Sequence, residues 1–279
     1  MSGLPERSLI IGQVKQVLAE DLGSGDLTAR LLDEHVEAEA RILCRESAVL
    51  CGVAWAGEVY RQLDPAIVID WQAADGDSIV PGQIICRLCG NSRSLLSGER
   101  TVLNYLQTLS GTATIAHRYA EAVSGTGVKI LDTRKTIPGL RLQQKYAVRC
   151  GGCHNHRVGL YDAILIKENH VQVAGSIAAA LKKARETVPA GVSIEIEVES
   201  MSELKEALVA DARRVLLDNF DLRMLSEAVK LNAGQARLEA SGGVDLQTIR
   251  VIAETGVDDI SVGALTKNVR AVDLSMLFV

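Results

Sequence analysis

The strongest constraint on the fold is a repeated alternation of strand and helix patterns after residue 125. In this part of the chain, short apolar segments are separated by stretches with helical periodicity. The segments are VKIL from 128, AILIK from 163, SIEIEVE from 193, RVLLD from 214, RLEAS near 236 and DISVG from 259. Strands that alternate with helices form parallel sheets, because a parallel neighbour is reached through a helical crossover. The sequence therefore predicts a parallel α/β architecture.

The spacing of these strands distinguishes between two kinds of parallel fold. The later strands begin 21 to 23 residues apart, which suits the βα units of a barrel, and no G-x-G-x-x-G follows the first strand. The six strands are fewer than the roughly eight of a complete barrel. We therefore predict an incomplete TIM-like α/β barrel over residues 113–279.

The first part of the chain has a different pattern. Apolar and polar residues alternate over 36–44, AIVIDWQ and IVPGQIICRL have strand character, and helical patterns occur at 8–21 and near 54–63. A length of 279 residues corresponds to about two domains. We predict an N-terminal α+β sandwich domain over residues 1–112, and we allow for the C-terminal tail to pack back on this domain.

Residues 93–124 have the apolar periodicity of helices. Glycines lie near the ends of SRSLLSGERTVLNYLQTLSG and TATIAHRYAEAVSG. Glycine often ends a helix, because it adopts the left-handed conformation that helix caps use. The pattern therefore predicts two consecutive helices that are separated at Gly111.

Composition and charge exclude several classes of protein. Hydrophobic residues make up 47% and charged residues 23%, which is the balance of a folded globular protein. The net charge of −5 provides no general basic field for nucleic acid or an anionic membrane. No apolar stretch approaches the roughly 20 residues of a membrane span, and MSGLPERS lacks a signal-peptide pattern. We predict a cytoplasmic protein with no nucleic-acid or membrane partner.

Positive charge is concentrated in one stretch of this acidic chain. Residues 129–170 contain eight lysines and arginines, three acidic residues and three of the five histidines, so their net charge is +5 against −10 for the rest. Converging charges between low-dielectric walls focus an electric field, and arginines bind anions through paired hydrogen bonds. The stretch therefore predicts a pocket for a small polyanion. Arg141, Lys145 and Arg149 recur at helical spacing and are interpreted as a solvated or pairing helix face outside the site.

Polar or glycine-containing segments follow the predicted strands. In a barrel of this kind, catalytic groups lie at the carboxyl ends of the strands, where the βα loops converge. These segments contain Asp132, Thr133, Arg134 and Lys135; Lys167, Asn169 and His170; Glu195, Glu197 and Glu199; Asp218 and Asn219; Ser241, Gly242 and Gly243; and Val262, Gly263 and Ala264. We predict that the functional site is assembled from these strand ends.

The segment SIEIEVES indicates which face of its strand points into the barrel. Alternate residues of a strand face opposite sides, so Glu195, Glu197 and Glu199 share one face and the apolar residues between them share the other. If the apolar face meets the helices, the glutamates point inward, where Glu197 needs lysines, arginines or a metal ion nearby. The alternative interpretation is an edge strand with solvated glutamates.

Two glycine-containing turns are candidates for phosphate binding. Ser241, Gly242 and Gly243 follow a strand and precede a helix that is expected to begin near Asp245, and SVGALT on the next strand provides a second turn. Glycine lets a ligand approach the backbone closely, and free N–H groups at a helix start favour a phosphate. Together the two turns predict a phosphate site.

Two C-x-x-C pairs, Cys86/Cys89 and Cys150/Cys153, suggest a zinc site as an alternative, with two histidines following the second pair. Residues three apart in a strand point to opposite faces, so Cys86 and Cys89 are poorly placed to bind one ion. The six cysteines of a chain without a secretory signal are interpreted mainly as buried small apolar residues.

The most distinctive segment of the sequence, over residues 130–171, reads ILDTRKTIPGLRLQQKYAVRCGGCHNHRVGLYDAILIKENHV. Further characteristic segments are EDLGSGDLT, GERTVLNYLQTLSG, IEIEVES, LLDNF, EASGGV and ETGVDDISVGALTK. Together they closely resemble the quinolinate phosphoribosyltransferase family over nearly the whole chain. The resemblance implies an enzyme of NAD biosynthesis that uses magnesium. Such an enzyme transfers phosphoribosyl from phosphoribosyl pyrophosphate to quinolinate with decarboxylation, giving nicotinate mononucleotide, carbon dioxide and pyrophosphate.

The resemblance also implies roles for individual residues. The implied catalytic residues are Lys135, Lys167, Glu197 and Asp218. The implied substrate-binding residues are Arg100, Thr133, Arg134, Lys135, His156, Arg157, Lys167, Glu197, Asp218, Ser241, Gly242, Gly243, Val262, Gly263 and Ala264.

Within this set the two substrates are expected to use different residues. Quinolinate carboxylates would be held by Arg134, His156, Arg157 and Lys167, with Lys135 shared between the substrates. Two acidic residues, Glu197 and Asp218, would bind the ribose hydroxyls and the magnesium ion, directly or indirectly, and the glycine-containing turns would hold the 5′-phosphate. Arg100 would come from a neighbouring subunit, which makes a homodimer the smallest active unit.

Other functions stay open on the sequence alone. Lys167 ends a strand among cationic residues, which is also compatible with the Schiff-base lysine of a barrel aldolase. A non-enzymatic zinc protein built on the C-x-x-C pairs is a third hypothesis. A family linked to molybdenum transport shares the fold and several motifs, but the intact TRK, NHR, LIKENH and EVE segments favour the quinolinate family. Cys153 departs from the family pattern, in which glycine is expected in many members.

Overall fold

The fold is described from a computed structural model, which covers residues 3–189 and 191–279. The chain divides into two compact units. The first unit comprises Met1–His117, Leu142–Gly152 and Asn268–Val279, and the second comprises Arg118–Arg141 and Cys153–Lys267. These units are compact bodies of the fold, whereas the domain boundary after residue 112 stays a prediction.

Helices and strands alternate along most of the chain. The helices are α1 (Arg7–Leu22), α2 (Val53–Leu63), α3 (Ser92–Ala122), α4 (Arg141–Cys150), α5 (Glu168–Ala174), α6 (Ile177–Thr187), α7 (Met201–Val209), α8 (Leu222–Asn232), α9 (Ile249–Ala253) and α10 (Ala264–Lys267), with a short 3-10 helix at Ala29–Leu31. The strands are β1 (Glu37–Cys44), β2 (Ala48–Val49), β3 (Val68–Trp71), β4 (Ser78–Ile79), β5 (Ile84–Asn91), β6 (Lys129–Leu131), β7 (Ala163–Ile166), β8 (Ser193–Val198), β9 (Arg214–Asp218), β10 (Arg237–Ser241), β11 (Asp259–Ser261) and β12 (Leu274–Phe278).

The first unit contains the antiparallel sheet that the alternating pattern predicts. Its strand order is β12-β1-β5-β3, so the last strand of the chain pairs with the first. Ile42 lies opposite Met276 on one side and opposite Cys86 on the other. All three side chains are buried, because alternate residues of β1, β5 and β12 face the apolar core.

Aromatic residues and one buried carboxylate organise the rest of this unit. Trp55 is fully buried, and its ring centroid lies 5.6 Å from that of Tyr146. Asp75 Oδ1 accepts the backbone N–H groups of Gly52 and Val53 at 2.8 and 3.0 Å, and its Oδ2 accepts the hydroxyl of Tyr146 at 2.8 Å. Burial raises the pKa of Asp75. The carboxyl group thus holds both the start of α2 and the middle of α4.

The prediction of two helices over residues 93–124 is wrong, because α3 is a single helix of 31 residues. Gly111 lies inside it and does not end it. A Cβ atom at this position would lie 2.2 Å from the carbonyl oxygen of Arg270. Glycine is therefore required at this position for the close approach of two backbones within the first unit. In the sequence, a glycine kept for such a contact looks the same as one that ends a helix.

The second unit is a six-stranded parallel sheet with the order β6-β11-β10-β9-β8-β7. This confirms the strands that the sequence predicts and the parallel α/β class. The two end strands, β6 and β7, do not pair with each other. Beyond β6, Leu131 forms an isolated parallel bridge with His154, so the segment after α4 adds a short extension to the sheet.

The two faces of the parallel strands carry different side chains. Ile196, Val215, Leu238 and Ile260 share one face and are fully or almost fully buried. The opposite face presents charged residues, among them Glu195 and Glu197, as the sequence pattern predicts. Because β8 lies between β7 and β9, the alternative interpretation of an edge strand is wrong.

Within residues 3–189 and 191–279, no helix has both the length and the apolar character that a bilayer crossing requires.

The two glycines Gly12 and Gly111 provide a matched test of the helix packing. Gly12 is exposed in α1, and a Cβ atom there would meet nothing within 4 Å. We expect Gly12→Ala to raise the free energy of unfolding by about 0.5–1 kcal/mol, since alanine is the better helix former. Gly111→Ala should lower it by about 1–3 kcal/mol, because the added methyl group collides with backbone. Chemical denaturation of both variants measures the difference, and equal stabilisation by both would contradict the packing described for α3.

Candidate active site

The carboxyl ends of the strands in the second unit carry most of the residues that the sequence predicts for the site. Because the strands are parallel, these ends lie at one edge of the sheet. The residues at or just beyond this edge are Thr133, Lys135, Lys167, Glu197, Asp218, Ser241 and Gly263. The fold therefore brings segments that are far apart in the sequence to one rim.

An ion pair joins two of these strand ends. Lys167 Nζ lies 2.6 Å from Glu197 Oε2, and the side chain of Glu197 is 10% exposed against 44% for Lys167. The backbone N–H of Lys167 donates to Nδ1 of His170 at 3.0 Å, which fixes the start of α5. The inward carboxylate of Glu197 thus has the cationic partner that its position requires.

The turn after β6 holds Lys135 against the end of β11. The backbone N–H of Lys135 donates to Thr133 Oγ1 at 3.1 Å, and its carbonyl oxygen accepts from Thr266 Oγ1 at 2.8 Å. A Cβ atom on Gly263 would lie 3.1 Å from Lys135 Cδ and 4.0 Å from its Nζ. Glycine at 263 therefore leaves room for the lysine side chain, whose ammonium group reaches one of the predicted phosphate turns.

The turn after β9 packs against the turn after β10. Asn219 has a positive φ of 57°, its backbone N–H donates to Ser241 O at 2.9 Å, and its side-chain amide donates to Asp218 Oδ2 at 2.8 Å. A Cβ atom on Gly242 would lie 2.2 Å from Asn219 Oδ1. Asn219 therefore orients Asp218 and requires the glycine. The sequence pattern places Asn219 at a strand end of the predicted site, but the resemblance gives it no role; an asparagine in such a place indicates a left-handed turn.

Two arginines of the second unit lie close enough to repel each other. Burial and the neighbouring guanidinium of Arg134 lower the pKa of Arg157. Arg157 Nη1 donates to Ala163 O at 3.3 Å, while Arg134 Nε is buried and has no hydrogen-bond partner in the described part of the chain. A buried donor without an acceptor costs about 1–3 kcal/mol, which a bound anion would recover. The pair is therefore suited to a ligand that bears carboxylates.

Arg141 supports the segments next to these arginines. Its guanidinium donates to Thr136 Oγ1 at 3.2 Å, to Val158 O at 3.3 Å and to Arg134 O at 3.4 Å. Arg141 begins α4 and lies beside the turn after β6, so it contacts the site and does not continue a helix face outside it. Lys145, from the same predicted face, is buried.

His156 directs both ring nitrogens to partners within the second unit. Its Nε2 lies 2.9 Å from Glu195 Oε2 and 3.6 Å from Glu239 Oε2, and its Nδ1 accepts the backbone N–H of Arg157 at 2.7 Å. The backbone N–H of His156 donates to Asp132 Oδ1 at 2.9 Å. A direct contact of this ring with a substrate carboxylate stays a prediction.

A cavity of about 350 Å³ lies at the amino-terminal end of the same sheet. Glu195 and the segment that contains His156 and Arg157 line it together with the first residues of the strands: Lys129, Ala163, Ser193, Arg214, Arg237 and Asp259. Arg237 donates to both carboxylate oxygens of Asp259, and Arg214 Nη2 lies 3.3 Å from Asp259 Oδ2. The charges of Arg214, Arg237 and Asp259 neutralise one another, which assigns this cluster mainly to stability.

Glu239 lies between the two ends of the barrel and is completely buried. Burial and the charge of Glu195 raise its pKa to about 8, although the positive charge of Arg214 acts in the opposite direction. Arg214 Nη2 lies 3.5 Å from Glu195 Oε1 and 3.6 Å from Glu239 Oε2. The carboxyl group of Glu239 is therefore mostly protonated at neutral pH in the folded protein.

The helix after the Ser241–Gly242–Gly243 turn begins later than predicted. α9 begins at Ile249 and not near Asp245. Asp245 Oδ1 accepts two backbone N–H groups of the following turn, both at 2.9 Å. The chain's own carboxylate thus occupies N–H groups that a phosphate would need. The predicted phosphate contact would therefore be made by the backbone of the turn itself, in which Gly242 and Gly243 have φ angles of 103° and 60°.

The remaining predicted residues have varied surroundings. Val262 is buried, and its backbone N–H donates to Leu131 O at 2.9 Å, while Ala264 begins α10. Arg100 lies on α3 in the first unit and is exposed. Its predicted contribution from a neighbouring subunit stays a prediction.

Three cysteines of the two C-x-x-C pairs, Cys86, Cys89 and Cys153, have surroundings that do not suit a zinc site. Cys86 is buried and Cys89 is exposed, on opposite faces of β5, so they cannot bind one ion in this arrangement. Burial raises the pKa of the Cys153 thiol to about 12, and a protonated thiol is a poor nucleophile and a poor zinc ligand. The geometry is therefore against the zinc hypothesis.

Two family models match this chain. The one described as quinolinate phosphoribosyl transferase, N-terminal domain, matches residues 26–110, and the one described as its C-terminal domain matches residues 112–277. The chain belongs to the quinolinate phosphoribosyltransferase family. This membership confirms the sequence resemblance.

Individual relatives agree with the family models. The probable nicotinate-nucleotide pyrophosphorylase (carboxylating) of Bacillus subtilis is 41% identical over 268 residues, which are 95% of this chain and 93% of the relative. Quinolinate phosphoribosyltransferase (decarboxylating) 2a, mitochondrial, of Nicotiana tabacum is 37% identical and covers 95% of this chain and 81% of its own. The solved nicotinate-nucleotide pyrophosphorylase of Francisella tularensis has a TM-score of 0.96 and 45% identity, with 100% of both chains covered.

Membership in the quinolinate phosphoribosyltransferase family decides between the alternatives that the sequence left open. A barrel aldolase and a non-enzymatic zinc protein are both excluded by relatives that match along almost the whole chain. The six-stranded parallel sheet preceded by an antiparallel unit is the fold of this family's solved members. The fold class that the sequence predicts is thereby confirmed.

The raised pKa of Glu239 predicts a pH-dependent stability. The folded state keeps a proton that the unfolded state releases above its ordinary pKa of 4.5, so the stabilisation is full below 4.5 and is lost as the pH rises through about 8. Glu239→Gln replaces the protonated acid with a neutral amide. We expect the free energy of unfolding of the wild type, relative to Glu239→Gln, to fall by a few kcal/mol across this range. Denaturant titrations at several pH values test this, and parallel pH profiles would contradict it.

Proposed function

We propose that the chain is a carboxylating nicotinate-nucleotide diphosphorylase, a pentosyltransferase of NAD biosynthesis. It transfers phosphoribosyl from phosphoribosyl pyrophosphate to quinolinate and forms nicotinate mononucleotide, carbon dioxide and pyrophosphate. The names of the relatives support this reaction. The observation that carries it here is the pair of like charges at Arg134 and Arg157, with one buried guanidinium N–H lacking an acceptor among the described residues. A dicarboxylate acceptor supplies the missing negative charge.

The acceptor is proposed to bind through cations that the fold already gathers. Arg134 and Arg157 bind its adjacent carboxylates, each charge-assisted hydrogen bond contributing about 1.5–3 kcal/mol. Lys167 adds a third positive charge at the end of β7. Fixing the ring in this way directs its nitrogen at the anomeric carbon of the donor, which removes much of the entropic barrier to reaction.

The donor is proposed to bind along the opposite side of the rim. The carboxylates of Glu197 and Asp218 bind the ribose hydroxyls and stabilise positive charge on the ribose as the pyrophosphate departs. The turns at Ser241–Gly242–Gly243 and Val262–Gly263–Ala264 hold the 5′-phosphate through backbone N–H groups. Lys135, whose side chain runs past Gly263, serves both substrates.

The carboxylates of the rim also fit a magnesium ion. Magnesium prefers hard oxygen ligands and is usually bound by one or two carboxylates together with substrate phosphates. Glu197 and Asp218 provide such oxygens, and we propose that they hold the ion directly or through water. When bound, magnesium supplies positive charge to the departing pyrophosphate.

The chain's own residues are sufficient for the remaining chemistry. After the transfer the pyridine nitrogen is positively charged, so the ring accepts the electrons that decarboxylation leaves behind. The arginines keep the departing carboxylate in place until that step. No covalent intermediate is needed, which agrees with the buried, protonated state of the Cys153 thiol.

We also propose that the active form is a homodimer, with Arg100 contributed by the partner subunit. β7 is an edge strand, and beside it Leu160, Tyr161 and Val173 are 74%, 80% and 91% exposed. Large exposed apolar patches usually mark protein interfaces. A second copy of the chain is the proposed occupant. A cytoplasmic location is part of the proposal and is based on composition alone.

The proposed reaction has a direct test. Purified protein incubated with quinolinate, phosphoribosyl pyrophosphate and magnesium should release carbon dioxide and form nicotinate mononucleotide. Nicotinate in place of quinolinate should give no product, because it lacks the departing carboxylate and half of the negative charge that the arginines bind. Turnover of nicotinate at a comparable rate would contradict the proposal.

The site residues can be tested in the same assay. Arg134→Ala and Lys167→Ala should each lower kcat/KM for quinolinate by at least about 100-fold, since each removes a charged contact with the acceptor. Lys182→Ala removes a lysine on α6 that is 77% exposed and serves as the matched control. Unchanged turnover in Lys167→Ala would contradict the site.

The proposed dimer has its own test. Val173→Glu places a charge in the exposed apolar patch and should shift the sedimentation coefficient of the protein from that of a dimer to that of a monomer. Lys182→Ala should leave it unchanged. Identical sedimentation of wild type and Val173→Glu would contradict this interface.

A further inference from the structure

Glu195 lies inside the barrel, one inward-facing position before Glu197, and has no role in the proposed reaction. Its side chain is 4% exposed. An isolated carboxylate at such a depth costs several kcal/mol unless it is paired. The groups that pair with this carboxylate therefore indicate its role. They are the guanidinium of Arg214 at 3.5 Å and the ring of His156 at 2.9 Å.

The hydrogen bonds of His156 fix which ring nitrogen carries the proton. Nδ1 accepts the backbone N–H of Arg157 at 2.7 Å, so this nitrogen has a free lone pair and no hydrogen. A neutral imidazole with an unprotonated Nδ1 carries its hydrogen on Nε2. Nε2 therefore donates to Glu195 Oε2, and Glu239 Oε2 lies 3.6 Å away on the same edge of the ring.

This arrangement links Glu195 to Arg157 in two steps. The carboxylate holds the ring of His156, and the ring holds the backbone N–H of the next residue. Asp132, which is completely buried, fixes the same segment from the other side by accepting the backbone N–H of His156 and the side-chain amide of Asn155 at 2.9 and 2.6 Å. The backbone from which the Arg157 guanidinium extends is thus held by buried groups.

We propose that Glu195 is a positioning residue for the acceptor, acting through His156 on Arg157. Glu195 orients the imidazole, the imidazole orients the backbone of Arg157, and the guanidinium is thereby directed at a carboxylate of quinolinate. His156 then contributes by fixing its neighbour. This inference rests on the proposed function, since it assumes that Arg157 binds the acceptor.

The same three side chains also have the composition of a metal site. One ligand atom from each of His156, Glu195 and Glu239 lies within 4.8 Å of the others. A metal on Nε2 would displace the hydrogen from that nitrogen, while Nδ1 already acts as an acceptor. Metal-bound histidines instead donate from their second ring nitrogen. The hydrogen-bond directions therefore favour a positioning role.

Steady-state kinetics tests the proposal with two substitutions of similar size. Glu195→Met removes the acceptor for Nε2–H, whereas Glu195→Gln keeps an oxygen that accepts it. We expect Glu195→Met to raise KM for quinolinate about tenfold, with kcat and KM for phosphoribosyl pyrophosphate changed less than about twofold, and Glu195→Gln to restore most of the affinity. A loss of kcat with both KM values unchanged would mean a smaller folded fraction and would overturn the proposal.

Two further variants separate this role from general loss of packing. Glu58→Met removes another buried glutamate, paired with Arg61 in the first unit, and should leave both KM values unchanged. In the background of His156→Ala, Glu195→Met should raise KM for quinolinate by less than about twofold, because the connection is already broken. Additive effects of the two substitutions would show that Glu195 acts by another route.

Nitrogen-15 NMR of histidine-labelled protein provides a measurement that does not depend on catalysis. The ring shifts of His156 should report a hydrogen on Nε2 in the wild type and a mixture of tautomers in Glu195→Met. A wild type that does not turn over quinolinate would contradict the proposed function alone. A hydrogen on Nδ1, or a tautomer that Glu195→Met leaves unchanged, would contradict the positioning role alone.

Discussion

Charged side chains that point into a barrel of parallel strands must be matched by opposite charge or by a proton, and this requirement organises the second unit. At one end Asp259 accepts from Arg237, in the middle a carboxyl group takes up a proton, and at the rim Lys167 pairs with Glu197. Each solution avoids an isolated charge in a medium of low dielectric constant. The exception is the pair of guanidinium groups of Arg134 and Arg157, where positive charge is left over. Ligand binding is therefore expected where the internal matching is incomplete.

Much of this architecture follows from local patterns in the sequence. The period of two in SIEIEVES assigns the glutamates to one face, and parallel strands bring their carboxyl ends together wherever the helices run. Both regularities depend on covalent geometry, so they can be predicted without knowledge of tertiary contacts. The rim composed of Lys167, Glu197 and Asp218 could be assembled in this way. The identity of the reaction came from the long resemblance, since strand ends alone do not specify a substrate.

The errors of the sequence predictions come from contacts that local patterns do not predict. Gly111 resembles a glycine that ends a helix, but it makes room for a carbonyl oxygen from the other end of the chain. Asp245 accepts backbone N–H groups that were predicted to bind a phosphate. Arg141 belongs by spacing to a helix face, yet it connects two loops. The direction of the His156 ring depends on two glutamates from other strands. Gly111 and His156 depend on partners that are distant in the sequence. Asp245 and Arg141 also bind groups in nearby loops. Hydrophobic periodicity predicts neither kind of contact.

The pairing of β12 with β1 bears on how the chain is made. The central sheet of the first unit takes one of its strands from residues 274–278, whereas its other strands come from residues before 92. During synthesis from the amino terminus, β1 therefore leaves the ribosome with an open edge and keeps it while the entire barrel is translated. Unpaired strand edges recruit other chains, so this interval is a period of exposure to aggregation. A premature stop anywhere in the barrel would make that exposure permanent, even though every residue of the earlier strands is present.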